Sequence, residues 1–103
     1  MRFLVKVSIP VEGGNEAARQ GTIGEKIGKI LNDLKPEAAY FTDNDGKRTG
    51  FIIVKMDHAH QIPSIAEPWF LAFNAGIEIH PVITPEELQK AGPDIGTAVK
   101  TYG

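Results

Sequence analysis

The apolar residues of this chain recur at two alternating periods, and that alternation constrains the fold more than any other feature. Phe3, Val5, Val7 and Ile9 fall on one side of a two-residue repeat, with Arg2, Leu4, Lys6 and Ser8 on the other. Such a repeat marks a strand with one face on a core. Pro10, which has no N–H to give a ladder, closes the strand. Residues 11–21 then read as a loop around Gly13-Gly14-Asn15. Beyond it the period lengthens, and Ile23, Ile27, Ile30, Leu31 and Leu34 share one helical face. That helix begins at Asn15 or at Thr22, whose spacing to Glu25 is that of a capping box. It stops at Lys35-Pro36, because a residue before proline is pushed out of helical dihedrals. Ala17, Gly21, Gly24 and Gly28 form a narrow stripe of small residues. The stripe implies close approach of a neighbouring backbone or, for its first members, a loop.

The second half repeats the logic. Residues 37–42 read as a strand, with Ala39 and Phe41 opposite Ala38, Tyr40 and Thr42. Asp43-Asn44-Asp45-Gly46-Lys47 is a hairpin turn, since Asp-Gly between two strand patterns is a strong local signal. Thr49 to Met56 is a third strand, and its near-continuous run Phe51-Ile52-Ile53-Val54 fits a central position. Ile62, Ile65, Ala66, Trp69, Phe70 and Phe73 then recur at helical spacing. Ser64 and Glu67 again have capping-box spacing, Pro68 bends the helix or marks its regular start, and Asn74-Ala75-Gly76 ends it. Residues 77–83 are a fourth strand. Thr84-Pro85-Glu86-Glu87-Leu88 opens a short helix that Gly92-Pro93 stops, leaving the last ten residues as a surface tail. The order is β-α-β-β-α-β, an α+β, ferredoxin-like arrangement: a four-stranded antiparallel sheet with two helices on one face and the other face open. One domain over 1–84 is expected, with a short helix and tail over 85–103.

Composition narrows the chemistry. The chain has 103 residues, a net charge of −2 and no run of Lys or Arg, which argues against nucleic acid and anionic membrane as partners. It has no cysteine, so disulfides, thiolate catalysis and sulfur-ligated metal are out of reach. The start Met1-Arg2-Phe3-Leu4-Val5-Lys6-Val7 lacks the pattern of a signal peptide, and no apolar run approaches the ~20 residues of a membrane span. The expected location is the cytoplasm. His58, His60 and Asp57, even taken with His80, lack a clear fourth ligand, so no metal is expected. Asp43-Asn44-Asp45-Gly46 lacks the later ligands of a calcium loop, and Gly13-Gly14 lacks the context of a phosphate loop. No cofactor is expected.

The open sheet face is the candidate site. By alternation it takes Leu4, Lys6 and Ser8 from the first strand, Tyr40 and Thr42 from the second, and Glu78, His80 and Val82 from the fourth. The third strand is ambiguous: it offers either Phe51, Ile53 and Lys55 or Ile52, Val54 and Met56. Lone polar groups among apolar ones suit a lined pocket better than a solvated sheet. His80 is the catalytic candidate, because imidazole passes protons near neutral pH. Lys6 and Tyr40 are substrate-binding candidates, one offering charge and the other a directed hydrogen bond to an oxyanion. Trp69 belongs to the core or to a cavity wall. Glu67 is read as the partner of Ser64 in a helix cap, in preference to a base with a pKa raised against the indole.

The start Met1-Arg2-Phe3-Leu4-Val5-Lys6-Val7, the element order and the closing Ile79-His80-Pro81-Val82 together resemble the dimeric α/β-barrel superfamily. Muconolactone isomerase and small cofactor-independent monooxygenases belong to it, and small uncharacterised bacterial proteins of this type share the feel of Ala66-Glu67-Pro68-Trp69-Phe70. The resemblance spans about residues 1–83. It implies a homodimer in which two open sheet faces pack together and enclose a cavity in each half, but it supplies no reaction. Two functions remain open. One is a small enzyme of isomerase, lyase or cofactor-free oxygenase type, acting on a compact, partly apolar, oxygenated molecule. The other is a non-catalytic ligand-binding or structural dimerisation module.

Overall fold

The computed structural model describes residues 1–103. Four strands form one sheet: β1 (Arg2–Ser8), β2 (Ala38–Asn44), β3 (Lys47–Lys55) and β4 (Gly76–Val82). They lie in the order β2-β3-β1-β4, and every neighbouring pair is antiparallel. Helices α1 (Val11–Arg19), α2 (Ile23–Leu34) and α3 (Ile62–Phe73) complete the domain, and α4 (Pro85–Lys90) and α5 (Gly92–Tyr102) follow β4. The fold is the ferredoxin-like one that the apolar periods predict. No helix is long and apolar enough to cross a membrane.

Burial settles which face carries the core. Val5, Val7, Ile52 and Val54 are buried, together with Ile30, Ile65, Trp69 and Phe73 from the helices. Ile52 and Val54 therefore point toward the helices, and Phe51, Ile53 and Lys55 toward the open side. The third-strand ambiguity resolves this way because the register pairs Ile52 with Val5 and with Ala39, both of which pack on the core side. Trp69 and Phe73 stack with ring centroids 6.3 Å apart, and Lys26 Nζ sits 5.8 Å from the Phe73 centroid.

Several local expectations change. Residues 11–19 are helical rather than a loop, and the helix is broken from α2 at Gly21, whose φ is +71°. Gly13 and Gly14 are tolerated within α1 because the helix lies tight against the fold. A Cβ at Gly14 would stand 2.8 Å from Arg48 Nη1 and 3.2 Å from Ile9 Cγ2. Close approach thus falls at Gly14 and not along Gly21, Gly24 and Gly28, where a Cβ would meet nothing within 4 Å. Thr22 does not cap α2; its hydroxyl donates back to the Ala17 carbonyl at 3.3 Å. Lys35 adopts a left-handed conformation (φ 49°) ahead of Pro36 and ends α2 there.

The Ser64–Glu67 cap is also absent. Helix α3 begins at Ile62, so Ser64 already lies in its first turn, where its hydroxyl donates to the Gln61 carbonyl at 2.6 Å. The turn is entered instead through Gln61, whose Oε1 accepts from the Asp57 and His58 amides at 2.9 and 2.8 Å. Glu67 is exposed and serves neither as cap nor as buried base. Pro68 sits inside α3 and leaves the Ser64 carbonyl without a helical donor, which costs little because Ser64 faces solvent. Asn74, in the left-handed region at φ 53°, ends the helix.

At the start of α4 Thr84 and Glu87 form a reciprocal cap. The Glu87 amide donates to Thr84 Oγ1 at 3.2 Å, and the Thr84 amide donates to Glu87 Oε1 at 2.9 Å. Gly92-Pro93 stops α4 but also opens α5, with proline in the first turn, so the expected tail is a helix.

Candidate functional site on the open sheet face

The strand register arranges the open face in rows that run across the sheet. Tyr40, Phe51, Lys6 and Glu78 make one row, and Ala38, Ile53, Leu4 and His80 the next. Arg2 pairs with Lys55 and Val82 at one end, and Ser8 with Thr49 and Gly76 at the other. Each row follows from two-residue alternation once the pairing is fixed, since directly opposed residues share a face. Lys6, Tyr40 and His80 therefore occupy one face.

Lys6 and His80 meet through Glu78. Lys6 Nζ lies 3.5 Å from Glu78 Oε2, and His80 Nε2 lies 3.5 Å from Glu78 Oε1. One carboxylate thus stands between a fixed cation and an imidazole. A carboxylate in that place is within reach of a ring N–H, while the ammonium offers a point charge to an anionic oxygen. The Lys6 side chain is 24% exposed and those of Glu78 and His80 are each 57% exposed. All three remain reachable from solvent, and the apolar floor beside them is Leu4, Phe51 and Ile53.

Glu78 is the member that the sequence reading does not single out. Its signal was present, two residues before His80 on an alternating strand, but only the β1–β4 register shows that it faces Lys6. Tyr40 shares the face without joining the group. It lies on edge strand β2, two strands from Lys6, a lateral separation of roughly 10 Å. Trp69 is fully buried on the opposite side of the sheet, among the α2 and α3 side chains, so within its own subunit it cannot reach a molecule beside His80. Sequence alone left it between core and cavity wall because an indole suits both.

Other charged groups serve the frame. Arg2 holds Glu37 through two hydrogen bonds, Nε to Oε2 at 2.8 Å and Nη2 to Oε1 at 3.0 Å, with Lys55 Nζ 3.9 Å from the same carboxylate. The Arg2 hydrogen bond keeps the Glu37 carboxyl below the usual carboxylate range, and Glu37 in turn raises Arg2. Glu87 is lowered by the bonds it accepts from Thr84. His58 and His60 stack on each other at 5.4 Å in the junction between β3 and α3, away from His80. No three histidine, aspartate or glutamate side chains converge in a metal-binding arrangement.

No enclosed cavity covers the Lys6–Glu78–His80 group in the single chain. The largest cleft, about 420 Å³, only borders the open face at Ser8 and Gly76, and Pro10, Val11, Glu12 and Lys47 complete its rim.

Solved structures share this architecture. The 5-chloro-2-hydroxyhydroquinone dehydrochlorinase TftG of Burkholderia phenoliruptrix AC1100, in complex with 2,5-dihydroxybenzoquinone, superposes with a TM-score of 0.60 at 17% identity. That match covers 84% of this chain and 98% of TftG, and it establishes likeness of fold. A formyltetrahydrofolate deformylase of Pseudomonas putida KT2440 gives a TM-score of 0.49 at 13% identity, over 80% of this chain and 29% of its own. No curated protein matches the sequence. Residues 1–95 match the family model described as a domain of unknown function, DUF3303, and the chain belongs to that family.

Proposed function

We propose that this protein is a homodimer that holds a small, partly apolar, oxygenated molecule against its open sheet face, and that His80 moves a proton on it. The observation that carries the reading is the Lys6–Glu78–His80 group beside Leu4, Phe51 and Ile53, on a face that its own chain leaves uncovered. Lys6 binds an anionic or polarised oxygen, Glu78 orients the imidazole, and the apolar floor takes the rest of the molecule. A second copy laid on the open face excludes water and turns an exposed row into a lined site, where the same charges act more strongly. Isomerase, lyase and cofactor-free oxygenase chemistry all use such a proton transfer beside a stabilised oxyanion. The similar fold of TftG, solved with a hydroxylated quinone, supports the choice of ligand class.

The test uses the full-length chain, sedimentation for its assembly, and calorimetric titration with 2,5-dihydroxybenzoquinone as the probe. The expected result is a dimer that binds saturably and that weakens in Phe51→Asp. Lys6→Ala is expected to lose roughly 10- to 100-fold in affinity, the range for a hydrogen bond to a charged group. A monomer with no saturable binding defeats the reading. Binding without turnover, equal in wild type and His80→Ala, leaves a ligand-binding module in place of an enzyme.

A further inference from the structure

Helix α5 carries an apolar stripe that nothing in its own subunit covers. Every residue of Gly92–Tyr102 is exposed, and the element's main neighbour is α4. The molecule measures 58 × 27 × 20 Å with a radius of gyration of 17.2 Å, against about 13 Å for a compact chain of this length. The arm therefore projects from the domain. On it Ile95, Ala98, Val99 and Tyr102 recur at i, i+3, i+4 and i+7, one helical face, and Asp94, Thr97, Lys100 and Thr101 lie opposite. Ile95, Val99 and Tyr102 are 53%, 61% and 89% exposed.

A helix of this composition does not stand unaided. It has 11 residues, whereas isolated helices shorter than ~12–15 residues are marginal in water even when rich in alanine. Gly96, Thr97, Val99 and Thr101 lower its intrinsic preference further. Its order has to come from packing on another surface.

The arm leaves the domain at the border of the open face. Glu87 of α4 lines a cleft of about 280 Å³ with Met1, Arg2 and Lys55, and Arg2 and Lys55 are the end row of that face. Area favours a second copy as the occupant. Four strands of about seven residues present a footprint of roughly 400–450 Å². A stable interface needs about 800 Å² on each partner. An 11-residue helix adds roughly 160 Å², and two-fold symmetry makes each copy both give and receive one, which brings the total close to that need.

We propose that α5 is a dimer clasp, its Ile95–Val99–Tyr102 stripe packing on a second copy of this chain beside the sheet-to-sheet contact. The clasp rests on the proposed dimer and adds to it the element that makes the dimer stable. The experiment compares the full-length wild type with the Ile95→Glu/Val99→Glu double variant by sedimentation over a concentration series, with hydrogen exchange read at the α5 amides. The expected result is a wild-type dimer whose α5 amides lose protection on dilution, and a folded double variant whose dissociation constant rises at least ~100-fold, as two lost aliphatic burials require. Tyr102→Ser, at the last turn, is expected to raise it about 10-fold and serves if the double variant does not fold. A wild-type dimer with an unchanged constant in the variants overturns the clasp and leaves the sheet contact standing. A wild type that is monomeric throughout overturns both. Protected α5 amides in the diluted monomer also overturn the clasp, because the helix would then be ordered by its own subunit.

Discussion

Glu78 stands two residues before His80 on β4, and the two side chains meet at 3.5 Å while the other Glu78 oxygen lies 3.5 Å from Lys6 Nζ. In the proposed function the same carboxylate orients the imidazole while it partly neutralises the ammonium. These two effects oppose each other for an anionic ligand, and that gives Glu78→Gln a distinctive expected outcome. With the negative charge gone, 2,5-dihydroxybenzoquinone should bind more tightly, by up to about 5-fold, since an exposed ion pair is worth ~0.2–1 kcal/mol. The gain should shrink as salt is raised. Any turnover that uses His80 should fall in the same variant, and His80→Ala should lower it by ~10²–10⁴-fold. Titration calorimetry and a rate assay on one protein preparation check both signs. Weaker binding in Glu78→Gln would place the carboxylate among the ligand's own contacts.

Phe51 and Ile52 are neighbours in sequence with opposite consequences. Ile52 is fully buried against the helices, whereas Phe51 is half-buried on the open face. Ile52→Ala should cost about 2–5 kcal/mol in urea unfolding, the range for emptying a packed core site. Phe51→Ala should cost the single subunit much less and should act mainly on self-association. Equal losses of stability at the two positions would show that the open face is not free in the folded subunit.

The contrast also shows what sequence alone can carry. Alternation in residues 2–9 and 77–82 is enough to sort both strands, because a clean two-residue period has only one buried solution. The run Phe51-Ile52-Ile53-Val54 has no such period, so its sorting waits for the register with Val5 and Ala39. Lys6 and His80 could be placed on one face from their parity. Their link through Glu78 could not, since it depends on which residues two strands set opposite each other. Residues 11–19 misled because glycines that signal a loop in isolation here permit a helix to lie against Arg48 and Ile9. The α5 helix was missed, and its residues read as a surface tail, because Gly92-Pro93 signals a stop but here both stops one helix and opens the next.

The β2–β3 hairpin depends on two residues in the left-handed region, Asp45 at φ 54° and Gly46 at φ 74°. Gly46→Ala places a Cβ where that conformation costs roughly 1–2 kcal/mol, although nothing lies within 4 Å of it. Gly24→Ala is the counterpart. Gly24 lies in α2 with equally open space but without a positive φ, so alanine there should stabilise by about 0.5–1 kcal/mol. Urea midpoints of the two variants should therefore move in opposite directions from wild type. Matching shifts would mean that space, rather than backbone conformation, governs both sites.

Acid should loosen the end of the sheet from which the C-terminal arm departs. Glu37 is held below the usual carboxylate range by the Arg2 hydrogen bond, and Glu87 by the hydrogen bonds from Thr84. A carboxylate with a lowered pKa in the folded state contributes stability that is fully present above the unfolded value of about 4.3 and is lost as pH falls through the lowered one. Arg2 is shifted upward from an already high value, so it adds no change at ordinary pH. Hydrogen exchange at the start of α4 should therefore stay constant from neutral pH down to the ordinary carboxylate range, after correction for the intrinsic pH dependence of exchange, and accelerate below it. Thr84→Ala removes the bonds that depress Glu87 and should abolish most of that acid step in α4. Arg2→Ala leaves Glu37 only Lys55 at 3.9 Å and should flatten the matching step in global stability. An acid transition in α4 that persists unchanged in Thr84→Ala would assign it to some group other than Glu87.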